Sequence, residues 1–96
     1  MSAELKSVGE LFKAKRQELN VSLKEAENAT SIRSSYLEAI EEGEIDQYIS
    51  GVYALGFMKQ YAQFLGVDIE HMIRQNPQVF HMPVETLFLI FFHNIK

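Results

Sequence analysis

The stretch from Val52 to Gly66 constrains the fold of this chain most, because it is apolar, aromatic and long enough for about four helical turns. On a helical wheel of about 100° per residue, its apolar positions gather on one face. That expected core face consists of Ala54, Met58, Tyr61, Ala62 and Leu65. The opposite face contains Val52, Gly56, Lys59 and Gln63. The stretch therefore predicts a helix that buries one side in the core.

A row of residues, three of them aromatic, lies on the border between these two faces. The row consists of Tyr53, Phe57, Gln60 and Phe64. Such a row either covers a neighbouring helix or presents anchors to another protein, and the wheel leaves both interpretations open. Phe64 is assigned to neither. Lys59, Gln60 and Gln63 are expected to form a polar rim beside the aromatic residues.

Apolar residues at helical spacing predict a first helix from about Ser7 to Leu19. Ser7 and Glu10 have the spacing of a capping box, in which each side chain bonds the other residue's backbone N–H. Asn20 is the type of residue that ends a helix in the left-handed conformation.

Two short helices joined by a turn follow the first helix and predict a helix-turn-helix unit. The second helix is expected over residues 23–29, after a stronger capping box formed by Ser22 and Glu25. The third helix is expected over residues 34–42, with Gly43 as its left-handed stop. Its expected inward residues are Tyr36, Leu37 and Ile40.

The remaining signals complete an all-α, five-helix bundle with a less regular C-terminal tail. Ser50 is expected to cap the fourth helix, and Asp68 to cap a fifth helix over residues 69–75 that Pro77 prevents from continuing. The loop between the third and fourth helices is expected to be held on the core by Ile45, Tyr48 and Ile49. We divide the chain into a domain over residues 1–76 and a tail over residues 77–96, which is a possible membrane-proximal linker.

The net charge of −4 is concentrated in residues 31–46, an acidic belt in which Arg33 is the only basic residue. Its acidic residues are Glu38, Glu41, Glu42, Glu44 and Asp46. The belt is interpreted as a solvated face or, alternatively, as a surface that steers a basic patch of a partner and raises the association rate.

Composition and motif content argue against several classes of protein. The chain has no cysteine and no apolar N-terminal signal, and its longest apolar run, Leu87 to Phe92, is too short to span a bilayer. His71, His81 and His93 lack the spacing of metal ligands. No catalytic triad, carboxylate pair or phosphate loop is present, so we predict a non-enzymatic domain without cofactors.

A helix-turn-helix raises the alternative of a sequence-specific transcription regulator. The third helix would then contact DNA through Arg33, Ser34 and Ser35 at its start. DNA affinity depends mainly on Lys and Arg that neutralise phosphates, and the acidic residues further along this helix would repel the duplex. The sequence therefore favours a helix-turn-helix scaffold that binds something else.

Several motifs resemble the cytoplasmic helix-turn-helix domain of the RodZ family of bacterial cell-shape proteins, which is Xre/Cro-like. They are Ser22-Leu-Lys-Glu, Ile32-Arg33-x-x-Tyr36-Leu37-x-Ala39-Ile40-Glu41-x-Gly43 and, most specifically, Tyr53-Ala-x-Gly56-Phe57-x-x-x-Tyr61-Ala62. The resemblance covers about Val8 to Arg74. Three positions depart from the family pattern: Ser50 and Ile69 replace prolines, and Glu27 replaces a small residue in the second helix.

The resemblance implies an adaptor on the cytoplasmic side of the bacterial inner membrane, in cell-shape maintenance or division. Its implied partner is MreB, the actin-like filament protein, bound through aromatic residues that fall on Tyr53 and Phe57 here, with Lys59 and Gln60 beside them. The domain itself is expected to be soluble, with membrane attachment through a segment outside this chain. A homodimer that pairs the aromatic rows across a two-fold axis is a further alternative.

Overall fold

The computed structural model of the chain describes residues 3–75, which form five α-helices and one turn of 3-10 helix. The α-helices are α1 (Ala3–Glu18), α2 (Leu23–Thr30), α3 (Ser34–Glu42), α4 (Gly51–Leu65) and α5 (Ile69–Gln75), and the 3-10 turn is Ile45–Gln47. No strand occurs within these residues, so the predicted all-α fold is confirmed. The predicted tail over residues 77–96, including Leu87 to Phe92, lies outside the described part.

The start of α1 differs from the prediction. The helix begins at Ala3, so Ser7 lies inside it and the predicted capping box of Ser7 and Glu10 is wrong. The physical reason is Leu5, which is buried in the core and extends the apolar face of α1 by nearly one turn towards the N-terminus. The predicted stop is confirmed, because Asn20 has a left-handed φ of 59°.

Caps fix the helix-turn-helix unit as predicted. The Glu25 backbone N–H donates to Ser22 Oγ at 3.0 Å, and the Ser22 N–H donates to Glu25 Oε1 at 2.9 Å. Gly43 ends α3 with φ 74°. Glu27, which replaces a small residue of the family pattern in α2, accepts a 2.9 Å hydrogen bond from the Ser34 hydroxyl. This bond connects α2 to the first turn of α3.

The core lies among α1, α3 and α4, with α2 and α5 packed at its sides. All five residues of the predicted core face of α4 are buried. Tyr61 is fully buried, and its ring stacks on Phe12 of α1 at 5.4 Å between centroids. Leu37 and Ile40 are buried as predicted, whereas Tyr36 is half-buried. The wheel did not assign Leu55, which is also fully buried.

Three charged or polar side chains connect α1, α3 and α4 inside the protein. Arg16 donates from Nε and Nη2 to the two carboxylate oxygens of Glu41, at 2.7 and 3.0 Å. The Tyr61 hydroxyl donates to Glu41 Oε2 at 2.5 Å. Arg16 Nη1 also donates to the Val21 carbonyl at 2.9 Å. Burial and the bond to Glu41 raise the pKa of Tyr61, which keeps its hydroxyl protonated as a donor.

The segment around the start of α4 only partly follows the prediction. Ile45 is buried, but Tyr48 projects into solvent and does not hold the loop on the core. Ser50 occupies the N-cap position of α4, yet its side chain makes no capping hydrogen bond. At α5 the predicted cap is confirmed, because Asp68 Oδ1 accepts from the His71 backbone N–H at 3.0 Å.

Two helical glycines should respond to substitution in opposite directions. A Cβ atom at Gly9 would lie under 3.0 Å from the carbonyl oxygens of Ile40 and Glu41, so Gly9→Ala forces α1 and α3 apart. A Cβ atom at Gly56 meets nothing within 4 Å. Gly56→Ala should therefore stabilise the domain by up to about 1 kcal/mol, the usual gain of alanine over glycine in a helix.

Thermal melting followed by circular dichroism tests this pair. We expect a lower melting temperature for Gly9→Ala and a higher one for Gly56→Ala, each relative to the unsubstituted chain. An unchanged melting temperature for Gly9→Ala would mean that α1 and α3 do not approach as closely as described.

Candidate functional site

The exposed face of α4 is the candidate site, and Tyr53 is its most exposed large residue, with 68% of its surface accessible. Val52 and Phe64 are also exposed on this helix. Gly56 lies one turn from Tyr53, and a Cβ atom at Gly56 would meet nothing within 4 Å. The helix therefore presents an aromatic side chain that does little for the fold and is available to a partner.

Phe57 has a different position from Tyr53. Its ring is half-buried and contacts Tyr36 of α3 in a tilted arrangement, with 5.7 Å between the ring centroids. The two interpretations of the aromatic row are therefore divided between its members. Tyr53 projects into solvent, whereas Phe57 covers α3 and offers only part of its surface.

Lys59 is not an exposed charge on this surface. Only 6% of its surface is exposed, although Lys59 lines a shallow depression together with Gly56, Gln60 and Gln63. Lys59 therefore lies beside the expected polar residues, but it is not the exposed charge that the rim prediction required. Burial lowers the pKa of the Lys59 ammonium group, and the Glu70 carboxylate of α5 partly compensates for this effect. The wheel placed Lys59 opposite the core face, but the methylene groups of lysine can be buried against neighbours.

Gln60 is exposed as expected, and it also has a structural contact. Its side-chain amide donates to the Thr30 carbonyl, at the C-terminal end of α2, at 2.8 Å. This bond satisfies a carbonyl that the helix itself leaves without a partner. Gln60 therefore fixes α4 against α2, and Gln60 and Gln63 are the exposed polar residues of the depression that Gly56 and Lys59 also line.

The acidic belt is smaller than the sequence suggested. Glu41 is only 4% exposed and is bound by Arg16 and Tyr61, so it contributes no charge to the surface. The exposed acidic residues are Glu38, Glu42, Glu44 and Asp46. The first three line a shallow concavity that also contains Tyr48, an exposed aromatic residue that the sequence interpretation had placed on the core.

The residues of the alternative DNA-binding interpretation lie at the start of α3. Arg33 is exposed at the N-cap position, but Ser34 is half-buried and its hydroxyl donates to Glu27. Ser35 lines the acidic concavity together with Glu38 and Glu42. A phosphate backbone on this surface would meet one arginine and several carboxylates.

Other chemistry is not evident in the described part of the chain. Residues 3–75 contain no group of three or more acidic, histidine or cysteine side chains placed to hold a metal ion. Over the same range, every helix is too short or too polar to cross a bilayer. The predicted metal-free and cofactor-free character remains a prediction.

The fold and this surface define a helix-turn-helix domain with an outward aromatic residue on its fourth helix. The chain belongs to a family of helix-turn-helix domains whose model matches residues 11–72. That range begins within α1 and ends within α5, so it covers the whole helix-turn-helix unit and all of α4.

Individual relatives are similar to this chain over the same region. The cytoskeleton protein RodZ of Streptococcus pneumoniae is 34% identical over 67 residues, which are 70% of this chain and 24% of that protein. The membrane protein YmfM of Bacillus subtilis, whose function is uncharacterised, is 34% identical over 65 residues, 64% of this chain and 23% of that protein. The chain thus spans about a quarter of the length of these relatives. No solved structure matches it.

Proposed function

We propose that this domain is a non-catalytic adaptor that binds an actin-like filament protein of the MreB type and connects it to the bacterial inner membrane in cell-shape maintenance. The observation that carries the proposal is the exposure of Tyr53 on α4, inside the motif that most specifically resembles the RodZ family. The partial similarity to a cytoskeleton protein and to a membrane protein supports the same setting.

The proposed contact is built around one anchor. The Tyr53 ring loses its exposed area to a pocket of the filament protein, and its hydroxyl keeps a polar partner at the edge. The exposed part of Phe57 extends the apolar contact, and Gln60 and Gln63 form its polar border. The carboxylates of the acidic belt increase the rate of encounter with a basic surface of the filament without adding much affinity.

Co-sedimentation with polymerised MreB tests the proposal. The 96-residue chain should pellet with filaments in a saturable manner and stay in the supernatant without them. Absence of saturable pelleting under conditions where the filaments themselves sediment would refute the proposed function.

A DNA-binding regulator is the second candidate, because the family is a helix-turn-helix family and Arg33 is exposed at the start of α3. A gel shift at low salt against random duplexes distinguishes the two functions, since nonspecific phosphate attraction is then strongest. We expect no shift, because carboxylates surround the start of α3. Binding that weakens steeply with added salt would favour the regulator.

A homodimer that uses α4 would compete with filament binding for the same surface. Light scattering over a range of concentrations measures this directly. We expect a constant monomer mass. A mass that doubles with concentration, and that returns to the monomer value in Tyr53→Ala, would make α4 a self-association surface instead.

A further inference from the structure

A second apolar surface lies between α1 and α5 and shares no lining residue with the α4 surface. It is an open groove of about 400 Å³. Its apolar lining consists of Leu11, Ala14, Val67 and Met72, and its polar lining consists of Lys15, Glu18, Asp68 and His71. We call this surface the α1/α5 groove.

The α1/α5 groove leaves apolar surface uncovered in the described part of the chain. Leu11 is 57% exposed, although Val8 and Phe12 on the adjoining face of α1 are buried. Fully burying a leucine side chain is favourable by roughly 1.5–3 kcal/mol, so contact between Leu11 and an apolar segment would be stabilising.

The polypeptide leaves the described part beside this groove. Met72 lines the groove, and α5 ends at Gln75, about one helical turn further on. Any segment that follows Gln75 is therefore tethered close to the groove, at a high effective concentration.

The segment that follows contains the most apolar run of the chain, Leu87 to Phe92, in which no residue is polar. The twelve residue steps from Gln75 to Leu87 can span up to about 40 Å. The longest dimension of the domain is 35 Å, so this tether reaches the groove without strain. A short uncharged aromatic run is also prone to aggregation unless something covers it.

We propose that the α1/α5 groove binds the run Leu87 to Phe92 of the same chain. The groove volume accommodates a few side chains of the run rather than the whole of it. Docking covers Leu11 and places apolar residues of the run on Ala14, Val67 and Met72. The surface around Tyr53 is not used, so this proposal does not depend on the filament-binding function.

Disulfide trapping in the full 96-residue chain tests the proposal. Because the chain has no native cysteine, only the introduced cysteines can form a disulfide within it. The groove pair combines His93→Cys, directly after the run, with Glu18→Cys at the edge of the groove. The matched control pairs His93→Cys with Glu38→Cys on the acidic belt. In a glutathione redox buffer, we expect at least ten times more intramolecular disulfide for the groove pair than for the control pair.

A second pair of variants tests whether apolar contact holds the run in place. Leu11→Asp, in the groove pair background, should reduce the disulfide yield to that of the control pair. Leu19→Asp, at an exposed leucine outside the groove lining, should leave the yield unchanged. Circular dichroism confirms that both variants are folded, as expected for substitutions at exposed positions.

Several results would overturn the proposal. Equal yields for the groove and control pairs would mean that the run has no preferred position. Disulfide-linked dimers as the main product would assign the groove to a second copy. Flotation of the chain with phosphatidylglycerol vesicles, together with a groove yield no higher than the control, would assign the run to a lipid surface.

Discussion

Tyr53→Ala is expected to weaken filament binding by at least about thirty-fold, while the melting temperature of the domain stays the same or rises slightly. A buried interface anchor typically costs 2 kcal/mol or more when it is truncated, and 1.4 kcal/mol corresponds to a factor of ten. With 68% of its surface exposed, Tyr53 contributes little to the core, and alanine is a better helix former than tyrosine. Co-sedimentation titrations measure the affinity, and thermal melting measures the stability.

This substitution separates binding from folding better than a change at Phe57. The resemblance implied that Phe57 also contacts the partner, but the Phe57 ring packs on Tyr36. Its truncation removes a contact between α4 and α3 together with part of the surface. A loss of binding by Phe57→Ala is therefore interpretable only alongside Tyr53→Ala.

Tyr48→Ala is the matched control for Tyr53→Ala. Both residues are exposed tyrosines, at 61% and 68% of their surface, but Tyr48 lies beside the carboxylates of the acidic belt. We expect Tyr48→Ala to retain affinity within about three-fold. If Tyr53→Ala retained full affinity, or if Tyr48→Ala alone lost it, the binding surface would not be the exposed face of α4.

Signals that depend on local backbone chemistry predicted most of this fold. The capping box of Ser22 and Glu25 and the left-handed stops at Asn20 and Gly43 are in place, because each is determined within a few residues of the chain. The capping box at Ser7 failed for a non-local reason. Burial of Leu5 against the core stabilises a helix that begins upstream of the cap.

The candidate site was less predictable, because it depends on contacts between helices. A wheel separates faces of α4 but does not say that α3 covers Phe57 and leaves Tyr53 outside. Residue type also misled the assignment of two charges. Lys59 and Glu41 are both buried, and nothing in the local sequence of Glu41 identifies Arg16, which lies twenty-five residues away, as its partner.

The buried cluster of Arg16, Glu41 and Tyr61 gives the second large expected effect. Glu41→Ala should destabilise the domain by about 3 kcal/mol or more, because it leaves the Arg16 guanidinium without its two bonds to the carboxylate. It also leaves the fully buried Tyr61 hydroxyl without an acceptor. For a domain of this size, such a loss lowers the melting temperature by about 12 °C or more.

Two further variants should cause smaller losses of stability than Glu41→Ala. Tyr61→Phe removes a single donor and keeps the bidentate pair of Arg16 and Glu41, so it should cost only about 1 kcal/mol. Glu42→Ala, at the exposed neighbouring position, should change the free energy of unfolding by less than about 0.5 kcal/mol. Urea denaturation followed by circular dichroism measures all three variants on one scale.

Replacement of all three residues of the cluster distinguishes two quantities. One is the free energy cost of leaving a buried polar group without a partner, and the other is the net contribution of the Arg16–Glu41 pair to stability. Arg16→Met, Glu41→Leu and Tyr61→Phe together remove the charged groups and the hydroxyl of the cluster, and only the half-buried Val21 carbonyl loses its bond from Arg16. Because desolvation offsets much of the attraction within a buried pair, this triple variant should be more stable than Glu41→Ala alone. If the triple variant were the less stable of the two, attraction within the cluster would exceed its desolvation cost. The cluster would then itself hold α1, α3 and α4 together, and the position of α4 that exposes Tyr53 would depend on it.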